Sequence, residues 1–165
     1  MPGFLSRLKT FLQGDNRPVQ RIVDVEGLGR LVYSDDVEAW RIDAAHSCCG
    51  FGFLIGADLN DRADPMFRPA PVLVEQARSI ANEQAAFREA AFHFLDAEIR
   101  SGRWNAAEID ELRMLQVFKV ALTAPERPRD GEIEFRWLPT SPRFWYCALV
   151  DGKPASHLSF CGEDG

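Results

Sequence analysis

Alternation of apolar and polar positions dominates two parts of the chain. Four short runs, QRIVDVE, GRLVYS, EAWRI and FGFLIGA, come first and are separated by segments that contain Gly, Asp or Ser. In the second run Leu31 and Tyr33 alternate with Arg30 and Val32, so one strand face is buried and the other meets water. A later set comprises LRMLQVFKVALT, for which a helix stays an alternative, and then EIEFRWL, RFWYCALV and SHLSFC. These patterns predict two antiparallel β-meanders.

Helical periodicity dominates the segment between the two sets. From Val72 to Arg100 there is no Gly or Pro, and apolar residues recur at steps of three, four and seven. The pattern predicts one long amphipathic helix, at about 71–100, with a bend or break near residues 82–84. Asn105 and Glu108 form a capping pair for a further short helical turn. The expected fold class is α+β, with antiparallel β-meanders packed against one long central helix.

The first residues have a helical pattern of their own. Within residues 1–14, the residues Phe4, Leu5, Leu8, Phe11 and Leu12 share one stripe of a short amphipathic N-terminal helix. This helix either packs on its own domain or on a second copy, or it touches a membrane surface through residues 3–13. We expect a single domain over 1–165, with an α+β core over residues 20–160.

Composition and charge narrow the classes of function. The chain has 165 residues and a formal net charge of −6, whereas nucleic-acid binding requires a basic surface. No apolar run reaches the roughly 18 residues of a transmembrane helix, and no secretory signal pattern is present. We therefore predict a cytoplasmic protein that binds no nucleic acid and has no transmembrane segment.

The stretch HSCCGFGF, residues 46–53, contains the densest set of potential metal ligands. Zinc sites favour pairs of cysteines with two residues between them, whereas Cys48 and Cys49 are adjacent and point to opposite faces if the segment is extended. A metal site would combine His46 and Cys49 with His157 and Cys161 from a distant strand. We instead predict no cofactor here, but a turn before a central strand at about 51–57, with one cysteine buried and the other more exposed.

Catalytic patterns are weak elsewhere. A nucleophilic Cys49 would need His157 or His93 as its base, and no local motif surrounds these residues. On the long helix Glu89, His93, Asp96 and Arg100 share one face, which is typical of a solvated surface with ion pairs. The sequence therefore favours a protein that is not an enzyme. The alternative is a small metal- or thiol-dependent enzyme, or a metal-binding protein, that uses Cys and His residues.

Aromatic residues are concentrated in FRWLPTSPRFWYC, residues 135–147. Most of these rings are expected in the core. Any that stay exposed beside arginine would form a protein-binding surface, and the candidates are Trp137, Phe144 and Trp145.

The order of these elements resembles that of a group of small bacterial domains of unknown function. The matching residues are Leu28, Gly29, Leu31, Tyr33 and Trp40 in the first hairpin, Phe144 and Trp145 at the start of a late strand, and Asp151 and Gly152 in its turn. The resemblance covers about residues 22–160, and its Phe-Trp-Gly-His position reads Phe-Trp-Tyr-Cys here. Some such domains are suspected to be immunity or accessory proteins of bacterial competition systems, and no catalytic residues come with them.

The function expected from the sequence is therefore a non-catalytic cytosolic protein-binding domain. The resemblance implies an immunity-type protein that covers a partner. The acidic balance suits a basic partner such as a toxin, and self-association is the alternative.

Overall fold

The computed structural model describes residues 21–58 and 68–162. The N-terminal helix expected over residues 1–14, with its membrane-contact segment 3–13, lies outside the described residues. In the described part, one eight-stranded mixed sheet is combined with three short helices.

The sheet follows chain order from one edge to the other. Its strands are β1 (Ile22–Val25), β2 (Gly29–Ser34), β3 (Ala39–Ile42), β4 (Gly52–Gly56), β5 (Gln116–Leu122), β6 (Gly131–Arg136), β7 (Phe144–Val150) and β8 (Lys153–Cys161). All neighbours pair antiparallel except β4 and β5. The central strand expected at about 51–57 is confirmed as β4, which lies between β3 and β5.

The expected fold class is wrong because β4 and β5 pair in parallel. Phe53 lies opposite Val120 and Ile55 opposite Leu122 in this pair. Parallel neighbours need a crossover connection, and the helices between residues 57 and 115 supply it. The two meanders therefore join into one continuous sheet instead of packing separately against a helix.

The single long helix expected at about 71–100 is also wrong. The chain forms α1 (Pro71–Asn82) and α2 (Gln84–Arg100), followed by α3 (Ala106–Leu112). Between α1 and α2, Glu83 has φ −102° and ψ 26°, which lies outside the α-helical range. The interruption lies near residues 82–84, where a bend or break was expected, and it divides the segment into two helices.

One sheet face forms the core together with the helices. Phe53, Ile55 and Val120 on this face are fully buried. The ring of Phe87 on α2 lies 5.7 Å from that of Phe51, just before β4. On the same face, nearer the β8 edge, Trp104 packs edge-on against Trp145 with 5.1 Å between ring centroids.

Two local predictions are confirmed. Asp151 and Gly152 have φ of 50° and 76° and join β7 to β8 through a two-residue turn, as expected for an Asp-Gly hairpin. At the start of α3, the side chain of Asn105 accepts from the Glu108 amide and Glu108 accepts from the Asn105 amide. This is the reciprocal capping box.

Candidate functional site

The cysteine stretch forms a turn between β3 and β4. Cys48 is exposed, whereas Cys49 is 3% exposed. The Cys48 thiol donates a hydrogen bond to the Gly27 carbonyl of the β1–β2 turn, at 3.1 Å. The prediction of one buried and one exposed cysteine is confirmed. The reason differs, because both residues lie in a turn and not on opposite faces of a strand.

Helix α2 fixes this turn. Arg88 donates to the Cys49 carbonyl at 2.7 Å, and its guanidinium lies 5.1 Å from the centre of the Phe51 ring. Gly50 has φ 73°, and a Cβ at this position would lie 3.1 Å from the Arg88 guanidinium. The turn therefore favours glycine for both its backbone conformation and its contact with α2.

The four candidate metal ligands are not brought together. His46 and Cys49 precede β4, whereas His157 and Cys161 lie on the edge strand β8, with three strands between them. Four inter-strand spacings correspond to roughly 19 Å along the sheet. Within residues 21–58 and 68–162, no group of three or more His, Cys, Asp or Glu side chains could hold a metal ion.

The candidate nucleophile Cys49 has partners other than histidine. Its sulfur lies 3.1 Å from the Ser47 hydroxyl, and its thiol donates to the Phe51 carbonyl at 3.6 Å. His93 is exposed on α2, where its Nε2 lies 3.7 Å from a Glu89 carboxylate oxygen.

The solvated helix face is confirmed. His93 faces Glu89, and Arg100 pairs with Asp96 one turn further along α2. Apart from Asp96, which is about one-third exposed, these side chains are mostly accessible to solvent. Ion pairs on such a surface contribute little to stability.

The three candidate aromatic residues have different environments. Trp137 is 45% exposed, whereas Phe144 is partly buried. Trp145 is 2% exposed, and its indole N–H donates to Glu111 on α3 at 3.1 Å. Of the three, Trp137 is therefore the residue most available to a partner, and Trp145 belongs to the core.

Four exposed apolar side chains lie at the end of the sheet where β5 begins and β6 ends, and we call them the apolar end surface. We define it by Phe92, Met114, Trp137 and Leu138, which are 66%, 59%, 45% and 45% exposed. Met114 lies in the connection from α3 to β5. Trp137 directly follows Arg136 at the end of β6. Arg136 pairs with Gln116 at the start of β5, shortly after Met114, so strand pairing brings Met114 and Trp137 to the same end of the sheet.

A groove of about 340 Å³ opens beside Phe92. Its walls come from α2, from Leu115 and the start of β5, and from β6. Most of its lining is apolar (Phe92, Leu95, Leu115, Val117 and Phe135), and Arg88, Glu89 and Gln116 supply the polar part. Phe92 thus belongs both to the apolar end surface and to a concave feature that could accept a partner's side chain.

Hydrogen bonds fix the loop that carries Trp137. The indole N–H donates to the Ser141 hydroxyl at 3.2 Å, and the Arg136 guanidinium donates to the Ser141 carbonyl at 2.8 Å. Ser141 itself is 8% exposed, and its amide donates to the Leu138 carbonyl at 3.0 Å. Trp137 and Leu138 are therefore held in place before any partner binds.

The second sheet face, formed by the residues that alternate with the core positions, has an unexpected buried carboxylate. Glu134 is 4% exposed, and its two oxygens each lie 2.5 Å from a cation, Lys119 Nζ and Arg136 Nε. The Arg136 guanidinium also lies 4.4 Å from the ring centre of Phe118 and 5.4 Å from that of Phe144. The cluster anchors Arg136, the same residue that holds the Trp137 loop.

Sequence reasoning missed Phe92, Met114 and Glu134. Phe92 had a usable signal, because it lies out of phase with the buried stripe of Phe87, Ala91 and Leu95 on α2. No such signal marks Glu134, because the alternation in EIEFR predicts that its side chain is exposed to solvent.

Comparison of the chain with protein-family models, with curated proteins and with solved structures gave no match. In the described part of the chain, no helix is long and apolar enough to cross a membrane.

Proposed function

We propose that this chain is a non-catalytic protein-binding domain and that it binds its partner through the apolar end surface. The observation that carries the proposal is the clustering of exposed apolar side chains. Of the eight large apolar side chains that are exposed in the described residues, four form this surface, together with a groove beside Phe92. Isolated exposed apolar residues are ordinary, whereas a cluster with a concave border is typical of an interaction site.

The residue types support the proposal. Trp, Phe and Met are enriched at protein interfaces, and Trp is frequent among the residues that dominate binding energy. Because hydrogen bonds to Ser141 hold the Trp137 loop, little conformational entropy is lost when a partner binds.

Charge favours a basic partner over a second copy. Two copies each carry a net charge of −6 and repel each other. Near the apolar end surface, the exposed carboxylates of Glu89 and Asp110 face His93 and Arg113 on their own helices, so the attraction of a basic partner comes from the net charge. Such a partner associates faster at low salt. Together with the resemblance to small bacterial domains, the charge leads to a more specific proposal, in which this chain is an immunity-type protein that neutralises a basic toxin.

Site-specific photo-cross-linking tests the proposal. A photoreactive phenylalanine analogue replaces Phe92 or Trp137 in the full-length chain in its native cells, and in control proteins it replaces Val72 or Val150. These valines are 43% and 49% exposed but lie outside the apolar end surface. We expect one basic protein to be cross-linked from positions 92 and 137 and not from the two control positions.

Three other outcomes would contradict the proposal. Equal cross-linking from all four positions would indicate non-specific contact. Cross-linking of a second copy of this chain would indicate that the surface mediates self-association and does not bind a basic partner. An acidic partner at positions 92 and 137 would overturn the charge argument.

A further inference from the structure

The two adjacent cysteines form a pair that the protein-binding proposal does not use. Cys48 is exposed and its thiol donates to the Gly27 carbonyl, whereas Cys49 is buried between the Ser47 hydroxyl and the Phe51 carbonyl. Neither is in a disulfide. An accessible thiol with a second thiol next to it in the chain is the arrangement of an attacking and a resolving cysteine.

A disulfide between neighbours in sequence is strained. Consecutive Cα atoms are about 3.8 Å apart across a trans peptide, whereas Cα atoms joined by a disulfide are usually about 4.4–6.8 Å apart. Strained disulfides have higher reduction potentials and are the labile ones. A disulfide between Cys48 and Cys49 is therefore easily reversed, as a switch requires.

We propose that Cys48 and Cys49 form a reversible dithiol–disulfide pair that a low-molecular-weight disulfide, such as oxidised glutathione, closes. In the first step the Cys48 thiol loses its proton and attacks one sulfur of the oxidised glutathione, so that a mixed disulfide forms and one glutathione thiolate leaves. In the second step the Cys49 thiol loses its proton and attacks the Cys48 sulfur, and the second glutathione thiolate leaves. The protein loses two protons and two electrons, and oxidised glutathione gains them and becomes two reduced glutathiones.

Closing the pair changes the contacts between two turns. The Cys48 sulfur can no longer donate to the Gly27 carbonyl, a hydrogen bond that links the β3–β4 turn to the β1–β2 turn. The β1–β2 turn keeps the bond from the Leu28 amide to the Val25 carbonyl and the bond from Arg78 to the Glu26 carbonyl. Oxidation should therefore loosen this end of β1 and β2 without unfolding the domain.

The test treats the full chain with oxidised glutathione at about pH 8.5, near the ordinary thiol pKa, and follows the peptide with both cysteines by mass spectrometry. In the native protein this peptide loses two hydrogens and holds no glutathione. In Cys49→Ser the mixed disulfide at Cys48 accumulates instead, and Cys49→Ala serves as the second variant if the serine variant does not fold. Cys161, which is exposed on β8, is the internal control and keeps its glutathione in all proteins.

Hydrogen exchange gives the structural readout. We expect faster amide exchange in residues 26–29 of the oxidised protein, and recovery when a dithiol reductant is added. The proposal is overturned if native Cys48 keeps its glutathione as Cys161 does, if it stays unmodified while Cys161 reacts, or if it joins a second chain. If amide exchange in residues 26–29 does not change on oxidation, closing the cysteine pair does not loosen the β1–β2 turn, and this part of the proposal is wrong.

Discussion

Replacement of Glu134 by alanine should destabilise the fold strongly, although the residue lies on the sheet face opposite the core. Its carboxylate is almost fully buried and contacts Lys119 and Arg136 at 2.5 Å each. The variant leaves both cations close to each other without the carboxylate that both contact. Breaking a buried pair costs about 3–5 kcal/mol. Because Lys119 and Arg136 keep 35% and 21% exposure, we expect the lower end, about 3 kcal/mol.

The assay is urea unfolding followed by tryptophan fluorescence, with Glu132→Ala as the matched control. Glu132 lies two residues away on the same face but is exposed, so its removal should change the free energy of unfolding by less than about 0.5 kcal/mol. Partial burial raises the pKa of Glu132, the charge of Lys119 opposes this rise and the charge of Glu134 adds to it, so Glu132 is a weaker partner of Lys119 than Glu134 is. If Glu134→Ala lowers the free energy of unfolding no more than Glu132→Ala does, the expected effect of the buried carboxylate is refuted.

A double variant separates the unpaired charge from the lost packing. Changing Arg136 to Met in the Glu134→Ala background removes one of the two unpaired cations. Part of the lost stability should return, since the cost of breaking a buried pair is largely that of the charge left behind. If the double variant is destabilised by the sum of the two single changes, the two side chains do not interact.

Two further predictions concern local contacts. Asn105→Ala removes the capping box of α3 and should lower the free energy of unfolding by about 1 kcal/mol in urea titrations; an unchanged value would show that the cap does not stabilise the helix. Burial raises the pKa of Cys147 to about 12, whereas an unfolded thiol has a pKa of about 8.5. The unfolded state therefore loses this proton first. As pH rises from about 8.5 toward 12, Cys147 should lower the free energy of unfolding by about 1.4 kcal/mol per pH unit. In urea titrations across this pH range, the free energy of unfolding should decline less steeply for Cys147→Ala than for the native protein. Equal slopes of the two proteins would contradict the burial of the thiol.

Individual strands could be predicted from the sequence because each strand's alternation is a local property. β4 is an example, since Phe53 and Ile55 share the buried face that the alternation indicates. The Asp-Gly turn and the capping box at Asn105 were equally accessible, because each depends on residues within a few positions.

Pairing between distant strands could not be predicted in the same way. Nothing in the spacing of Phe53 and Val120 indicates that they become parallel neighbours across the helical connection. The interruption at Glu83, where a bend or break was expected, leaves the apolar spacing of α1 and α2 almost in phase. The parallel pair is the feature that changed the architecture from two meanders to one continuous mixed sheet.

The candidate site was predictable only in part. Trp137 was identified from composition, but its exposure depends on hydrogen bonds to Ser141 that the sequence does not indicate. Glu134 is buried because Lys119 from a neighbouring strand and Arg136 cover it. Such contacts depend on strand register, which a single sequence leaves open.

Binding of the purified basic partner, measured by calorimetry, tests the central claim most directly. The native chain is compared with Trp137→Ala and with Val72→Ala, whose position on α1 lies outside the apolar end surface. Loss of a dominant interface tryptophan costs about 2 kcal/mol or more, so we expect Trp137→Ala to weaken binding about 30-fold. Val72→Ala should bind like the native chain. Equal affinities of all three proteins would contradict binding through the apolar end surface.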